Sequence, residues 1–398
     1  MPSEPVALQD AVGRVLAEDI AATLQLPPWD NASMDGYAVR ASDIGPSTPE
    51  APVQLPVAGT IAAGGDASQV LRAGEALRIM TGAPVPAGAD TVVRVEDTDA
   101  GVAVVRIFSA RDVGRNIRPR GEDILEGDVA ARAGDTLHPG MIGLLASLGC
   151  DTVPVVRRPR VAILASGDEL VDIDQFEEVR AGRRIVTSNS YSLAAAVLDA
   201  GAIPVSLGHV GDDPDAIRER LLAANDDLLL TTGGVSVGAF DHTRRVLEEL
   251  GAQHRFWRVR IRPGAPVGFG VYRGRPWLGL PGNPVSTLVT FELFARPAIR
   301  KMLGHRLVFR RPAPARLAEP VTIHAPLTHF LRARIEHTPD GLLARLTGPQ
   351  GSGLLSSMAR ADALLVIPPD RTRMEAGEVV GALLIHETTS YAEWPPAQ

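Results

Sequence analysis

The chain has almost no cysteine and almost no lysine. Cys150 is the sole cysteine, so no disulfide can form within one chain and no CxxC pair exists for metal or redox work. A cytoplasmic protein is expected on that ground. Lys301 is the sole lysine among 40 basic residues. Every other cation is arginine. This reflects either a compositional bias or a use of planar groups that match oxyanions. Either way, a position whose chemistry calls for lysine will here carry arginine. No apolar run reaches the length of a bilayer span, so a membrane protein is not expected. The start, MPSEPVALQD, lacks a basic region followed by an apolar core and does not read as a secretory signal. The net charge of −7 argues against general nucleic-acid binding. No Walker loop, Ser/His/Asp elbow or HExxH motif is present, and His242 has no visible histidine partner.

What is present fills more than one core. At 398 residues, roughly two to four domains are expected. The spacing of apolar residues predicts a helix over Val6–Asp19. From Tyr37 to Ile107 short β-rich runs alternate with Pro and Gly, which predicts a small all-β domain. A helix over Met141–Leu148 leads to the arginine-rich joint Arg157–Arg160. Residues Arg160–Gly304 then alternate strand and helix, which predicts a parallel sheet covered on both faces. The strands are VAILAS, IPVSLG and LLLTT, and a long helix runs over Val285–Leu303. From His305 onward the pattern is β-rich again and predicts a second small barrel or sandwich.

Four stretches can carry chemistry. Thr231–Gly238, TTGGVSVG, follows a buried strand; its glycines let backbone N–H groups face an anion, and Ser236 adds a hydroxyl. The plain alternative is a tight strand-to-helix turn. Five acids, Asp35, Asp123, Glu169, Asp212 and Asp241, fall at loop ends. Glu169, Asp212 and Asp241 follow three strands of one sheet, so they are expected to converge on one crevice and could hold Mg²⁺ with the help of phosphate oxygens. Singly, Asp212 can equally be a helix cap, Asp35 a turn and Asp241 a helix start. Arg258, Arg260 and Arg262 in RVRIRPGAP would share one strand face, as an oxyanion site or as a solvated face. Thr81 lies in the rigid loop IMTGAPVPAGAD, either as a donor to an oxyanion or simply in a turn.

Seven stretches occur in order: PWDNASMDGYA from Pro28, RIMTGAPVPAGAD from Arg78, IRPRGEDI from Ile117, SGDEL from Ser166, TTGGVSVGAFD from Thr231, RPGAP from Arg262 and LPGNPVS from Leu280. Taken together, the chain closely resembles the molybdopterin molybdenumtransferase family, which includes the gephyrin E domain. The resemblance spans nearly the whole chain. It implies a multidomain α/β plus β protein. A segmented helical linker domain would comprise residues 1–24 and 115–157, an inserted β domain residues 25–114, a molybdopterin-binding-type α/β domain residues 158–304, and a C-terminal β barrel residues 305–398. It also implies a homodimer whose active site lies between the α/β domain of one copy and the inserted β domain of the other. The implied reaction takes adenylylated molybdopterin and molybdate, uses Mg²⁺, and releases molybdenum cofactor and AMP. A molybdopterin adenylyltransferase and molybdoenzyme apoproteins are the implied protein partners.

Carried over by motif, the catalytic residues would be Asp35, Thr81, Asp123, Glu169, Asp212 and Asp241, the last three of acid type also serving the metal. Gly233, Gly234 and Ser236 would meet the terminal phosphate region. Arg258 and Arg262 would bind molybdate, Pro281 and Pro284 would shape the loop beside it, and Ser352 in PQGSG would come from the last domain. The chain departs from the family at Arg262, where lysine is usual before Pro-Gly, and at Asp362, where asparagine is frequent. A binding scaffold with gephyrin-like partner recognition and a tungstate-handling relative are the alternatives.

Overall fold

The computed structural model describes residues 1–65, 68–233 and 242–386. The chain divides into two compact units, Pro5–Val155 and the remainder, Met1–Glu4 with Val156–Gln398.

The Pro5–Val155 unit holds a five-stranded sheet in the order Thr91–Arg94, Gly36–Val39, Ala76–Ile79, Val53–Ile61, Val104–Ile107. Successive side chains of a strand face opposite sides. Tyr37 and Val39 therefore pack with Val93 and Val105, while Ala38 packs with Leu77 and Ile79. The helix expected over Val6–Asp19 does not form. Ser3–Ala7 is a strand, Leu8–Asp10 a single tight turn, and Gly13 takes a left-handed φ of +75°. Beyond it, the N–H of Leu16 donates to Asp135 and that of Ala17 to Pro154. The apolar spacing is real, since Leu8, Ala11 and Leu16 share a core with Leu137, Leu145 and Val155. Long-range backbone pairing satisfies the chain there in place of helical bonds. The one α-helix beside that core, Pro139–Ser147, starts on proline as expected of a first turn.

In the other unit a six-stranded sheet runs in the order Ile203–Val210, Arg160–Ser166, Leu228–Thr232, Arg275–Leu280, Gly268–Tyr272, Gln253–Phe256. The first four are parallel; Gly268–Tyr272 runs antiparallel to them, and the edge strand Gln253–Phe256 pairs antiparallel with it. The sheet is thus mixed, where alternation alone predicted a parallel one. The turn at Arg273-Gly274 makes a plain hairpin with no room for a crossover helix. Arg160–Ser166 is buried from Val161 onward, as a central strand covered on both sides must be. Helices Pro214–Ala223 and His242–Glu249 supply Ile217, Leu221, Val246 and Leu247 to one face. Ser188–Asp199 supplies the buried Leu193 and Val197.

The long helix starts at Pro284 and reaches Met302, but Phe291–Ala295 is a wider π turn between two α segments. Pro297 has no N–H for an intrahelical bond, and the wider turn before it accommodates that gap. Five strands from Ala313 to Leu384 then close on themselves: Thr328–Thr338 pairs with both Gly341–Leu346 and Ala363–Ile367, and Ala313–Leu317 and Val379–Leu384 complete the ring. This is the expected C-terminal barrel, around Leu317, Leu331, Leu365 and Met374. Ile261–Arg262 adds in parallel to its edge at Thr328–His329. Among the described residues no helix is long and apolar enough to cross a membrane.

Candidate functional site

The parallel strands of the large sheet reverse order between Arg160–Ser166 and Leu228–Thr232, with Ile203–Val210 on one side and Arg275–Leu280 on the other. A crevice outside the carboxyl ends of the strands is expected there. Four turns meet at it. At Gly233 a Cβ would lie 2.2 Å from the carbonyl oxygen of Ser166, and φ is +85°. Only glycine fits that position. A Cβ on Gly282 would stand 3.7 Å from the Cα of Gly233, so the two glycine turns approach backbone to backbone. At Gly167 a Cβ would meet the Glu169 carboxylate at 2.6 Å.

The convergence of acids holds in part. The Asp212 N–H donates to Asp168 Oδ1 at 2.9 Å. Burial first, then the negative charges of Asp168 and Glu169, push the Asp212 carboxyl above its ordinary range, against a smaller opposing effect of His242. Asp212 and Glu169 therefore do share one electrostatic neighbourhood, and Asp168 belongs to it as well. Asp212 is not a helix cap: Asp213 takes that place, accepting from the N–H of Asp215 at 3.1 Å. Gly234, Ser236 and Asp241 lie outside the described residues. Among the described residues no three His, Cys, Asp or Glu are grouped to hold a metal.

The Pro281–Pro284 turn is pinned from several sides. Thr232 Oγ1 donates to the Pro281 carbonyl at 3.0 Å and Thr287 Oγ1 to the same oxygen at 2.5 Å. Asn189 Nδ2 donates to the Gly282 carbonyl at 2.8 Å and to Thr232 Oγ1 at 3.0 Å. Asn189 thus ties the strand end to the turn. Its only trace in the sequence was a polar TSNS run ahead of a helix, which reads as a cap. Pro284 opens the helix, and the N–H of Val285 donates to the Ser352 carbonyl at 3.1 Å. Ser352 is thereby brought to the same turn. The loop that carries it is held by Arg332, fully buried, which donates to the carbonyls of Pro349, Gln350 and Gly351 and to Ser357 Oγ. Burial lowers its pKa to about 10. A lone arginine in an alternating strand gives no sequence sign of this.

Arg258, Arg260 and Arg262 do not share a strand face. The strand stops at Phe256 and the next covers only Ile261–Arg262. In between, Val259 donates to Ala265 and Arg260 reaches the Pro326 carbonyl. The chain turns back at Pro-Gly, which breaks the alternation. All three arginines are exposed, and no ion pair to any of them occurs among the described residues.

In the Pro5–Val155 unit, Asp35 and Thr81 come together. The backbone N–H and the Oγ1 of Thr81 both donate to Asp35 Oδ1 at 2.7 Å. Those bonds, the backbone one foremost, hold the Asp35 carboxyl below its usual range. Their loops interlock: Gly82 N–H donates to Ala32, Ala32 to Ala83, and Ser33 to Asn116. Asp123 follows in the same assembly, its N–H on the Leu26 carbonyl at 2.9 Å and its side chain exposed.

A mixed sheet whose switch point gathers glycine turns and acids of like charge, in a chain whose Arg258, Arg260 and Arg262 make no ion pair among the described residues, is a setting suited to an anionic ligand. The comparisons narrow the class. Residues 1–149 match the MoeA N-terminal region (domain I and II), 162–301 the probable molybdopterin binding domain and 314–385 the MoeA C-terminal region (domain IV). A relative from Mycobacterium tuberculosis, molybdopterin molybdenumtransferase 2, is 41% identical over 94% of this chain and 92% of its own. The molybdopterin molybdenumtransferase of Bacillus subtilis is 38% identical over 99% and 92%. The solved molybdopterin biosynthesis moeA protein of Pyrococcus horikoshii superposes with a TM-score of 0.83 at 32% identity, over 96% of this chain and 94% of that one. The chain belongs to the molybdopterin molybdenumtransferase family, and its work is a transfer in molybdenum cofactor biosynthesis.

Proposed function

We propose that the protein inserts molybdenum from molybdate into adenylylated molybdopterin and releases AMP. The observation that carries this reading is the gathering of the Gly167, Gly233 and Gly282 turns at the switch point, on the same strand ends as acids that repel one another. The reaction breaks the phosphoanhydride bond between the two substrate halves: a water oxygen adds at the AMP phosphorus, the bridging P–O bond breaks, and the pterin phosphate leaves with the bridging oxygen; molybdenum exchanges molybdate oxygen for the pterin's sulfur atoms, and that oxygen departs as water. Gly233 lets its turn pass close against Ser166 at the strand end, and by motif Gly233, Gly234 and Ser236 are assigned to the terminal phosphate region. Arg258 and Arg262 offer guanidinium forks to the tetrahedral molybdate, with Pro281, Pro284 and Ser352 shaping its rim. Arg262 replaces a lysine and keeps the charge, but adds bidentate geometry.

The acids fit Mg²⁺. Two carboxylates completed by phosphate oxygens suit that ion; burial foremost, then the charges of Asp168 and Glu169, raise the Asp212 carboxyl, and a cation would relieve those charges. Glu169, Asp212 and Asp241 would hold it. When bound, it supplies neutralisation of the phosphate charge that develops as the anhydride opens. Asp35, Thr81 and Asp123 are assigned to the same reaction from a second copy of the chain, so the working form is a homodimer. Its substrate comes from a molybdopterin adenylyltransferase, its product goes to molybdoenzyme apoproteins, and its place is the cytoplasm.

Two experiments test the reading. Purified protein, adenylylated molybdopterin, Mg²⁺ and molybdate should yield AMP, and no AMP sinks the proposal. Co-expressed Asp35→Ala and Asp212→Ala chains, each inactive alone, should regain about a quarter of wild-type turnover through mixed dimers. No recovery would put both residues in a site within one copy.

A further inference from the structure

The far end of the long helix borders a second cavity. It encloses about 510 Å³ and is lined by Arg296, Arg300 and Arg310 with Leu307, Phe309 and Ile385. Small-molecule sites span roughly 300–1,000 Å³. Arg300 lies sixteen residues beyond Pro284, about 24 Å along the helix axis at 1.5 Å per residue. The cavity is therefore separate from the switch-point crevice.

Its charges do not balance. Arg296 pairs with Asp199 at 2.6 Å and with Glu292 at 2.8 Å. Arg310 shares Glu292 at 2.9 Å. Arg300 has no carboxylate among the described residues; its Nε and Nη2 both donate to the Leu307 carbonyl, at 3.2 and 3.0 Å. Three guanidinium groups thus face two carboxylates. Burial and then the like charges of Arg296 and Arg310 disfavour the Arg300 cation, and His305 beside it is pushed down to about 4 by burial and by Arg300. Burial is the larger cause of both shifts; the smaller share, from neighbouring guanidinium groups, is positive charge that an anion would relieve. At the rim, Leu307 is 82% exposed and Phe309 73% exposed. Two large apolar side chains left in solvent beside a half-buried arginine favour a ligand with an apolar body over a bare ion.

We propose that this cavity binds a small organic anion, its oxyanion group on Arg300 and its apolar or aromatic body against Leu307 and Phe309. Phenyl phosphate is the probe, titrated calorimetrically into the full-length protein at low salt. Binding should be about tenfold tighter than for inorganic phosphate, which lacks the body, and should be lost for benzyl alcohol, which lacks the charge. Arg300→Gln should weaken phenyl phosphate about tenfold, and Phe309→Ser, at an exposed position that tolerates a polar side chain, should weaken it several-fold. Arg262→Gln, which alters the oxyanion arginine of the other site, should leave it unchanged. Thermal melting confirms that each variant folds; should Arg300→Gln fail to fold, Phe309→Ser carries the test. Affinity that is indifferent to both cavity variants, or lost with Arg262→Gln, overturns the proposal.

Discussion

Asp35 and Asp212 are the same residue type in opposite circumstances. Asp35 accepts two hydrogen bonds from Thr81 at 2.7 Å, and its carboxyl sits below the usual range. Asp212 is partly buried near Asp168 and Glu169, and its carboxyl sits above it. The first carboxylate spends its lone pairs on its own chain. The second carries charge that the described residues do not neutralise. Hydrogen bonds to the ionised form and burial among like charges act on a carboxyl with opposite sign. The contrast separates an acid held in one orientation by its own chain from an acid set among like charges.

The sharpest way to break this contrast is Asp212→Asn. If Asp212 serves a cation and phosphate, AMP release should fall about 10²–10³-fold. Stability should move the other way. An acid whose folded pKa exceeds its unfolded value, near 3.9, supports the fold while protonated. That support is present below the unfolded pKa and is lost as pH rises through the folded one. At pH 7 ionised Asp212 therefore costs stability, and the variant should melt roughly 1–2 °C higher. The gain should vanish below about pH 4. Melting curves at both pH values check the sign; a variant that melts lower at pH 7 would make Asp212 a structural acid like Asp35.

Smaller effects are expected from the residues that hold the turns. Arg332→Met strips donors from three carbonyls of the Ser352 loop and should cost about 2–4 kcal/mol by urea unfolding. A cost near zero would mean that the loop keeps its place unaided. Asn189→Ala frees the Gly282 turn from Thr232. It should raise KM about five- to tenfold with little change in kcat. A lower melting point with unchanged KM would reduce Asn189 to a brace of the fold.

These supporting residues show where the sequence was silent. Strand ends, glycine turns and acids in the α/β region were legible because burial and turn chemistry act locally. TTGG had to end a strand, and Gly233 does stand where only glycine fits. The closed barrel was visible as β-rich patterning, though its closure depends on pairings far apart in sequence. Long-range pairing also defeated the Val6–Asp19 helix, since Leu16 and Ala17 bond to Asp135 and Pro154. Alternation misled at Arg258–Arg262 because the strand it presumed ends at Phe256. Asp168, Asn189 and Arg332 were missed as site residues for one reason. Each matters through a partner on another element, Asp212, Gly282 and the Pro349–Gly351 loop respectively, and no local pattern announces such a partner.

The smallest effect is expected at the other pole of the comparison. Thr81→Val keeps the shape of the side chain and removes only its hydroxyl. The backbone N–H bond to Asp35 remains, and it is the larger of the two influences on that carboxyl. Asp35 should therefore stay ionised at neutral pH. An acid with a lowered folded pKa supports the fold above its unfolded value, and that support is lost as pH falls through the folded value. Losing the hydroxyl should move the folded value part of the way back up, so the loss begins at a slightly higher pH in the variant. Carboxyl titration of Asp35 by NMR reads this shift directly. Turnover should fall only about two- to fivefold, since the lost hydroxyl bond is exposed to water and the backbone bond still orients Asp35. A loss as deep as that of Asp212→Asn, with Asp35 titrating unchanged, would show that the Thr81 hydroxyl meets the substrate itself and that orienting Asp35 is the lesser of its roles.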